Sequence, residues 1–279
     1  MTTTISIFNQ KGGSGKTTTT IAIAGVLSKM YDTKKHSKGK GKILVIDADP
    51  SGGATGDLDH SSHPKPDTYY ADLIIDYCRE EILPDPRCSI VPTEFPYLDL
   101  MPASNRLGAA QQEIMVYALS RNKIFRKIFA NLDNYYDYIL IDTMGAKHNA
   151  LTINSLYFSD YAIIPLEPEK KNLKGYKDSF TMIKAIQDEE SDPLQVLGVF
   201  YTKIDMRRST DRFLVEEGHN IYGDNFINIP IHQVPSIIRD ASNASMPVNY
   251  FAPSNKITND YELLTRELLR RIEKMEGDI

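Results

Sequence analysis

The sequence predicts an α/β fold: a twisted, mostly parallel sheet with helices on both faces. Three observations predict it. Short apolar runs, rich in β-branched or aromatic residues and bounded by turn residues, alternate with longer stretches of helical periodicity. The runs read as buried strands, and strand–helix alternation of this kind builds a parallel sheet covered on both sides. A glycine-rich turn joins the first run directly to the first helix.

In chain order, TISIFN (4–9) reads as the first strand and 15–30 as the first helix. The next stretch, YDTKKHSKGKGK (31–42), is rich in Lys and Gly and reads as an exposed inserted loop before the second strand, KILVID (42–47). A second inserted loop, DHSSHPKPD (59–67), is polar and contains proline. The third strand is YLDLMP (97–102), and a long helical pattern covers 105–132. DYILID (137–142) and DYAIIPL (160–166) follow as strands, then a helix over 172–188. VLGVFYT (196–202), a helix over 209–220, NFINIP (225–230) and a helix over 258–276 complete the chain. No internal repeat and no polar linker divides these elements, so a single domain is expected across 1–279.

The chain has 279 residues, 41% hydrophobic and 25% charged, enough for a substantial core without disulfides or metals. A net charge of −5 excludes a uniformly basic surface but allows a local basic face. Cys78 and Cys88 form no C-x-x-C pair and read as reduced thiols of a cytoplasmic protein. The N-terminus lacks the basic and apolar regions of a signal peptide, and no apolar run approaches the ~20 residues of a membrane span.

The chemistry is concentrated in NQKGGSGKTTTT (9–20). The phosphate-loop pattern G-x-x-x-x-G-K-[ST] asks for a glycine where this chain has Gln10, and a second lysine, Lys11, follows. The remainder is intact and lies where a strand opens into a helix. Gly12, Gly13 and Gly15 let backbone N–H groups turn around phosphate oxygens, and the helix N-terminus adds positive potential. Lys16 would neutralise the β- and γ-phosphates, and Thr17 would offer a hydroxyl to Mg²⁺. Ser14 and Thr18 complete the expected nucleotide loop. A hard cation wants oxygen ligands, and three aspartates sit at strand ends: Asp47 and Asp49 after the second strand and Asp142 after the fourth, with Gly145 in the turn beyond. Strand alternation puts Asp47 and Asp49 on one side, aimed at the loop.

With NQKGGSGKTT, DADPSGGAT, YDYILIDTMG…LTINSL and SDYAIIPLEPE in order, the chain resembles the ParA branch of the ParA/MinD deviant-Walker ATPases, from Ile5 to the last helix. The resemblance implies a P-loop NTPase-like fold, ATP and ADP as ligands with Mg²⁺, and weak intrinsic hydrolysis. It implies that Lys11 crosses to the nucleotide of a second subunit in an ATP-dependent homodimer. It further implies that Asp49 orients or deprotonates the attacking water, with Asp47 and Asp142 at the switch positions around Mg²⁺ and the γ-phosphate. Two departures stand out: Ser51, Gly52 and Gly53 replace the family's Q-G-N, and Thr143, Met144 and Gly145 replace its C-P-P.

Members of the branch bind DNA non-specifically and work with a ParB-type centromere-binding partner, which implies a cytoplasmic, nucleoid-associated protein. TKIDMRRSTDR (202–212) matches the family's T-x-x-D-x-R-T stretch, with Arg207 at its DNA-contacting arginine and Arg208 beside it; a solvated helix start is the competing reading. Arg239 lies where the family has another basic residue. Lys34, Lys35, Lys38, Lys40 and Lys42 form the densest positive run. Pro230 is a candidate for the adenine pocket. The alternative is a MinD-like positioning ATPase at a membrane. Against it, the last helix carries Tyr261, Leu264, Leu268, Ile272 and Met275 as a stripe suited to docking on the sheet, and the chain ends in acidic EGDI. Asn259 and Glu262 form a capping-box pattern for that helix. The chain begins at the first strand, without the N-terminal extension by which some ParA proteins read operators, so no sequence-specific DNA binding is expected of it.

Overall fold

The computed structural model describes residues 2–34, 42–59, 64–83, 85–117, 121–146, 149–168, 172–190 and 194–277. Lys35, Lys38 and Lys40 lie outside them. In chain order the elements are β1 (Thr3–Ile7), α1 (Lys16–Lys34), β2 (Ile43–Ala48), α2 (Gly53–Leu58), α3 (Tyr70–Glu80), β3 (Val91–Pro92) and β4 (Leu98–Met101). Next come α4 (Leu107–Tyr117), α5 (Ile124–Phe129), β5 (Tyr138–Thr143), α6 (Ala150–Phe158), β6 (Tyr161–Leu166) and α7 (Asn172–Glu189). The last are β7 (Gln195–Tyr201), α8 (Ser209–Glu216), α9 (Gly218–Tyr222), α10 (Pro235–Asn243), α11 (Val248–Phe251) and α12 (Lys256–Gly277).

Seven strands form one sheet in the order β3-β4-β2-β5-β1-β6-β7. All neighbours are parallel except the short edge pair β3·β4. The expected class, a mostly parallel sheet with helices, is therefore the observed one. β1 lies at the switch of winding direction, with β5 and β2 to one side and β6 and β7 to the other. In open α/β sheets that switch leaves a crevice at the carboxyl ends of the strands.

Successive strand residues enter different cores. In β2, Ile43 and Val45 pack in the same core as α1 and α12, whereas Leu44 and Ile46 pack with α3 to α6. In β5, Leu140 belongs to the first core and Ile139 and Ile141 to the second. The period of two then decides where the strand-end acids point: Asp47 and Asp142 share parity with Val45 and Leu140, on the α1 side.

Three expected elements differ. NFINIP is not a strand: it makes one isolated bridge, Val199 to Phe226, and Pro230 has no N–H to continue a ladder. Its carbonyls turn instead to Arg271, whose guanidinium donates to the Asp224, Asn225 and Phe226 oxygens and to Leu197 O. The long helix over 105–132 is broken between α4 and α5. The Asn154 side chain, on α6, accepts from Ile124 N at 2.7 Å and Phe125 N at 3.3 Å and donates to Arg121 O, capping a new helix start. The last helix begins three residues before the proposed cap. Asn255 Oδ1 accepts from Ile257 N at 3.2 Å, which leaves Asn259 inside the first turn. The stripe on α12 does dock inward: Tyr261, Leu264, Leu268 and Ile272 are buried, and Met275 packs beside them.

Candidate functional site: a phosphate loop over two buried aspartates

The loop between β1 and α1 is held from outside. Asn9 Nδ2 donates to Pro165 O at 2.7 Å, and the Thr202 hydroxyl bonds to Ser14 O at 2.9 Å. These contacts tie the loop to the carboxyl ends of β6 and β7. Within it, Gly13 (φ 78°) and Gly15 (φ 86°) occupy the left-handed region that favours glycine. Lys16 is buried at the start of α1, and its Nζ donates to Lys11 O at 3.2 Å. Burial pulls its pKa down, while the charges of Asp142 and Asp49 pull it back up. Gly145 closes the loop from the β5 side. A Cβ there would sit 2.7 Å from Lys16 Nζ and 3.0 Å from Gly12 N and Lys11 O, so a side chain would collide with the loop. Gly145, which stands where the family has its second proline, is thus the residue of this turn that packs directly on the loop.

Asp47 and Asp142 are Cα partners across β2 and β5, and both are fully buried. Their carboxyls are pushed above the ordinary range, chiefly by burial; Asp142 is pushed further, with the charge of Asp47 adding to it. The two have different surroundings. Asp142 Oδ2 accepts from the Thr17 hydroxyl at 2.7 Å, while its Oδ1 is buried with no hydrogen-bond partner. Asp47 Oδ2 accepts from both the N–H and the hydroxyl of Thr55 at 2.7 Å, and its Oδ1 accepts from Asp49 N at 3.2 Å. Asp47 therefore holds the turn that carries Asp49, with both of its oxygens hydrogen-bonded. Asp49 itself closes the turn by accepting from Ser51 N at 2.9 Å.

This donor set fits Mg²⁺. Thr17 and Asp142 offer hard oxygens side by side, and one buried oxygen has no protein partner. Among the described residues no three His, Cys, Asp or Glu side chains surround a common point.

At the outer end of the loop, Lys11 Nζ lies 3.2 Å from Glu167 Oε2, at the end of β6. The other Glu167 oxygen takes Lys203, which also donates to Gly13 O. Glu167 and Lys203 were not among the residues expected from the sequence. Their only local signal is their place directly after apolar strands.

A cavity of about 230 Å³ opens beside Gly15 and Thr18, lined by Thr202, Lys203, Ile231, His232, Gln233, Val234, Pro235, Ile238, Ile257 and Tyr261. It is apolar on most sides and adjoins the phosphate loop, as a base pocket must. Pro230 is not in its lining; the residues that follow are. A larger cavity lies away from the carboxylates, between α6 and α7, and reaches the loop only at Gln10.

Arg207 and Arg208 sit in the turn after β7, and Arg239 on α10. The two regions are joined by the Ile204–His232 bridge and by Gln233 N donating to Ile204 O at 2.9 Å. Arg207 is 90% exposed but grips Asp205 with two bonds of 2.9 and 2.8 Å, and holds that carboxyl down to about 2. Arg239 is exposed beside Asp240. Lys42 pairs with Asp99, and Arg271 is turned inward as described above. Cys78 and Cys88 are unpaired. Among the described residues no helix is long and apolar enough to cross a membrane.

Residues 2–196 match a protein-family model described as an AAA domain. The sporulation initiation inhibitor protein Soj of Bacillus subtilis is 29% identical over 266 residues, covering 95% of this chain and 97% of that protein. The chromosome partitioning protein ParA of Myxococcus xanthus is 29% identical over 269 residues, covering 96% and 88%. Among solved structures, the septum site-determining protein MinD of Pyrococcus horikoshii complexed with Mg-ADP superposes with a TM-score of 0.74 at 20% identity, covering 99% and 98%. At that identity the likeness is one of fold.

Proposed function

Given that the chain belongs to the AAA-domain family and, within it, to the ParA/MinD group of P-loop ATPases, we propose that it is a DNA partition ATPase whose active form is an ATP-bound homodimer. One observation carries the reading. A phosphate loop with a lysine at each end lies over a buried Thr17–Asp142 pair, and the Asp47-braced turn brings Asp49 toward the same point.

Each residue then has a physical task. The loop amides of Gly12 to Lys16 bind the phosphates, and Lys16 supplies the in-cis charge. Thr17 and Asp142 would hold Mg²⁺, which when bound neutralises phosphate charge that builds up in the transition state. Asp49 orients the attacking water and accepts its proton, so that ADP and phosphate leave. Lys11, released from Glu167, reaches the partner subunit's nucleotide and adds a second positive charge, as cations supplied in trans do in other phosphoryl-transfer enzymes.

The ATP dimer then binds DNA non-specifically through Arg207, Arg208 and Arg239, and a ParB-type protein stimulates hydrolysis and releases it. This course is supported by the Soj and ParA relatives and by the inward docking of the α12 apolar stripe on the sheet instead of toward lipid. The test is a side-by-side measurement of ATP-dependent binding to duplex DNA and to anionic liposomes, with light scattering for mass. Wild type should be dimeric with ATP and bind DNA; Lys11→Ala should bind nucleotide yet stay monomeric. A Lys11→Ala protein with full ATPase activity would overturn the trans-lysine role, and ATP-dependent binding to liposomes alone would overturn the partition reading.

A further inference from the structure

One polar side chain of the base cavity, His232, is oriented by a buried carboxylate. His232 Nδ1 lies 2.7 Å from Asp260 Oδ2, and His232 N donates to the same oxygen at 3.0 Å. Asp260 is buried near the start of α12, so the pair joins the cavity wall to the helix that packs on α1. A carboxylate accepts and does not donate, so this bond places the imidazole proton on Nδ1. Whenever the ring carries a single proton, the lone pair is therefore on Nε2. That nitrogen is neither hydrogen-bonded nor buried, and the ring forms part of the cavity lining.

Apart from Gln233 and Thr18, which also carry polar groups, the other lining residues do little to tell one purine from another. Ile231, Val234, Pro235, Ile238 and Ile257 are apolar and would grip the faces of any purine. Lys203 is committed to Gly13 O and Glu167. The Thr202 hydroxyl is taken by Ser14 O and Leu166 O. Asp205, the carboxylate just beyond, is gripped by Arg207 and is not in the lining.

We propose that His232, held by Asp260, selects a 6-amino over a 6-oxo purine nucleotide. A 6-amino group donates to the Nε2 lone pair. A 6-oxo group would set two acceptors against each other in a pocket too apolar to excuse it, and an unmatched buried acceptor is costly. His232 makes the contact, and Asp260 is the positioning residue that fixes the tautomer. The inference rests on the nucleotide-binding reading above and extends it to the identity of the base.

The test compares ATP with inosine triphosphate, which has a 6-oxo group and an N1–H in place of the 6-amino group and N1 lone pair but shares the sugar and phosphates. Affinities are measured with Mg²⁺ on the full chain by calorimetry. Wild type should prefer ATP by about tenfold or more. The ratio should fall to near one in His232→Ala and drop markedly in Asp260→Ala, with thermal melts confirming that each variant is folded. A merely structural role would weaken both nucleotides together and leave the ratio intact. Equal wild-type affinities, or an undiminished ratio in folded His232→Ala, would overturn the proposal while leaving the ATPase reading standing. If neither nucleotide binds wild type, both are overturned.

Discussion

Asp47 and Asp142 face each other across β2 and β5, Cα against Cα in the parallel register, with both carboxyls fully buried. Two acids in one dry place disfavour each other's ionisation, and only Asp142 keeps an oxygen with no protein partner. The arrangement costs stability and leaves a ready cation ligand. Asp142→Asn should therefore make the nucleotide-free protein more stable, by about 1 kcal/mol at pH 8, because a buried charge is removed. It should also lower Mg²⁺-dependent ATP hydrolysis by about 100-fold or more. Thermal melting without nucleotide and steady-state phosphate release check the two halves. A destabilised variant, or one with wild-type turnover, contradicts the assignment.

Asp49 sits on a turn braced by Asp47 and Ser51 rather than in the sheet. Asp49→Ala should leave the loop and its Mg²⁺ ligands in place and remove the group that aims the water. The expected outcome is ATP bound but not cleaved, with a dimer that persists on size-exclusion chromatography. If the variant dimerises no more than wild type, Asp49 has another task.

Thr55 ties both of its polar groups to Asp47, and its hydroxyl also accepts from Ala103 N at 2.8 Å. Thr55→Val keeps the shape and loses the hydroxyl, leaving Asp47 one bond short. A loss of about 1–2 kcal/mol is expected in chemical denaturation, with hydrolysis falling more than nucleotide affinity. Unchanged stability would show that Asp47 does not depend on this bond.

Arg207 reaches solvent, yet it is already paired with Asp205. Binding a phosphate therefore exchanges one carboxylate for another anion. Arg207→Ala should weaken DNA binding to all sequences alike and lower the salt slope by about one. Asp205→Asn should strengthen binding by releasing the arginine. An unchanged slope in Arg207→Ala places the DNA surface elsewhere.

Glu267 ties Arg270 and Arg271 on α12, and their hydrogen bonds lower its pKa from 4.5 to about 2. A depressed folded pKa stabilises above the unfolded value, and that contribution disappears as pH falls toward the folded one. Glu267→Gln should thus be less stable than wild type at neutral pH, by at most about 1 kcal/mol for a partly exposed group. The gap should close between about pH 4.5 and 2, in urea melts across that range. A gap that is constant with pH would mean the carboxylate charge is not the source.

The sequence by itself determined the class of fold, six of the strands, the phosphate loop and the three aspartates, because each is written in neighbouring residues. A buried parallel strand is a short apolar run, and a strand-to-helix turn that binds phosphate needs glycines followed by Lys and Thr. Tertiary structure decided what depends on residues far apart in the chain. Asn154 breaks a helix thirty residues before it, as its bond to Ile124 N records. Arg271 takes the Asn225 and Phe226 carbonyls at the start of NFINIP. Thr55 bonds twice to Asp47 Oδ2, and Asp260 aims His232 at a cavity that begins one residue beyond Pro230. A polar side chain's partner is chosen by burial and distance in space, and periodicity along the chain carries no record of either.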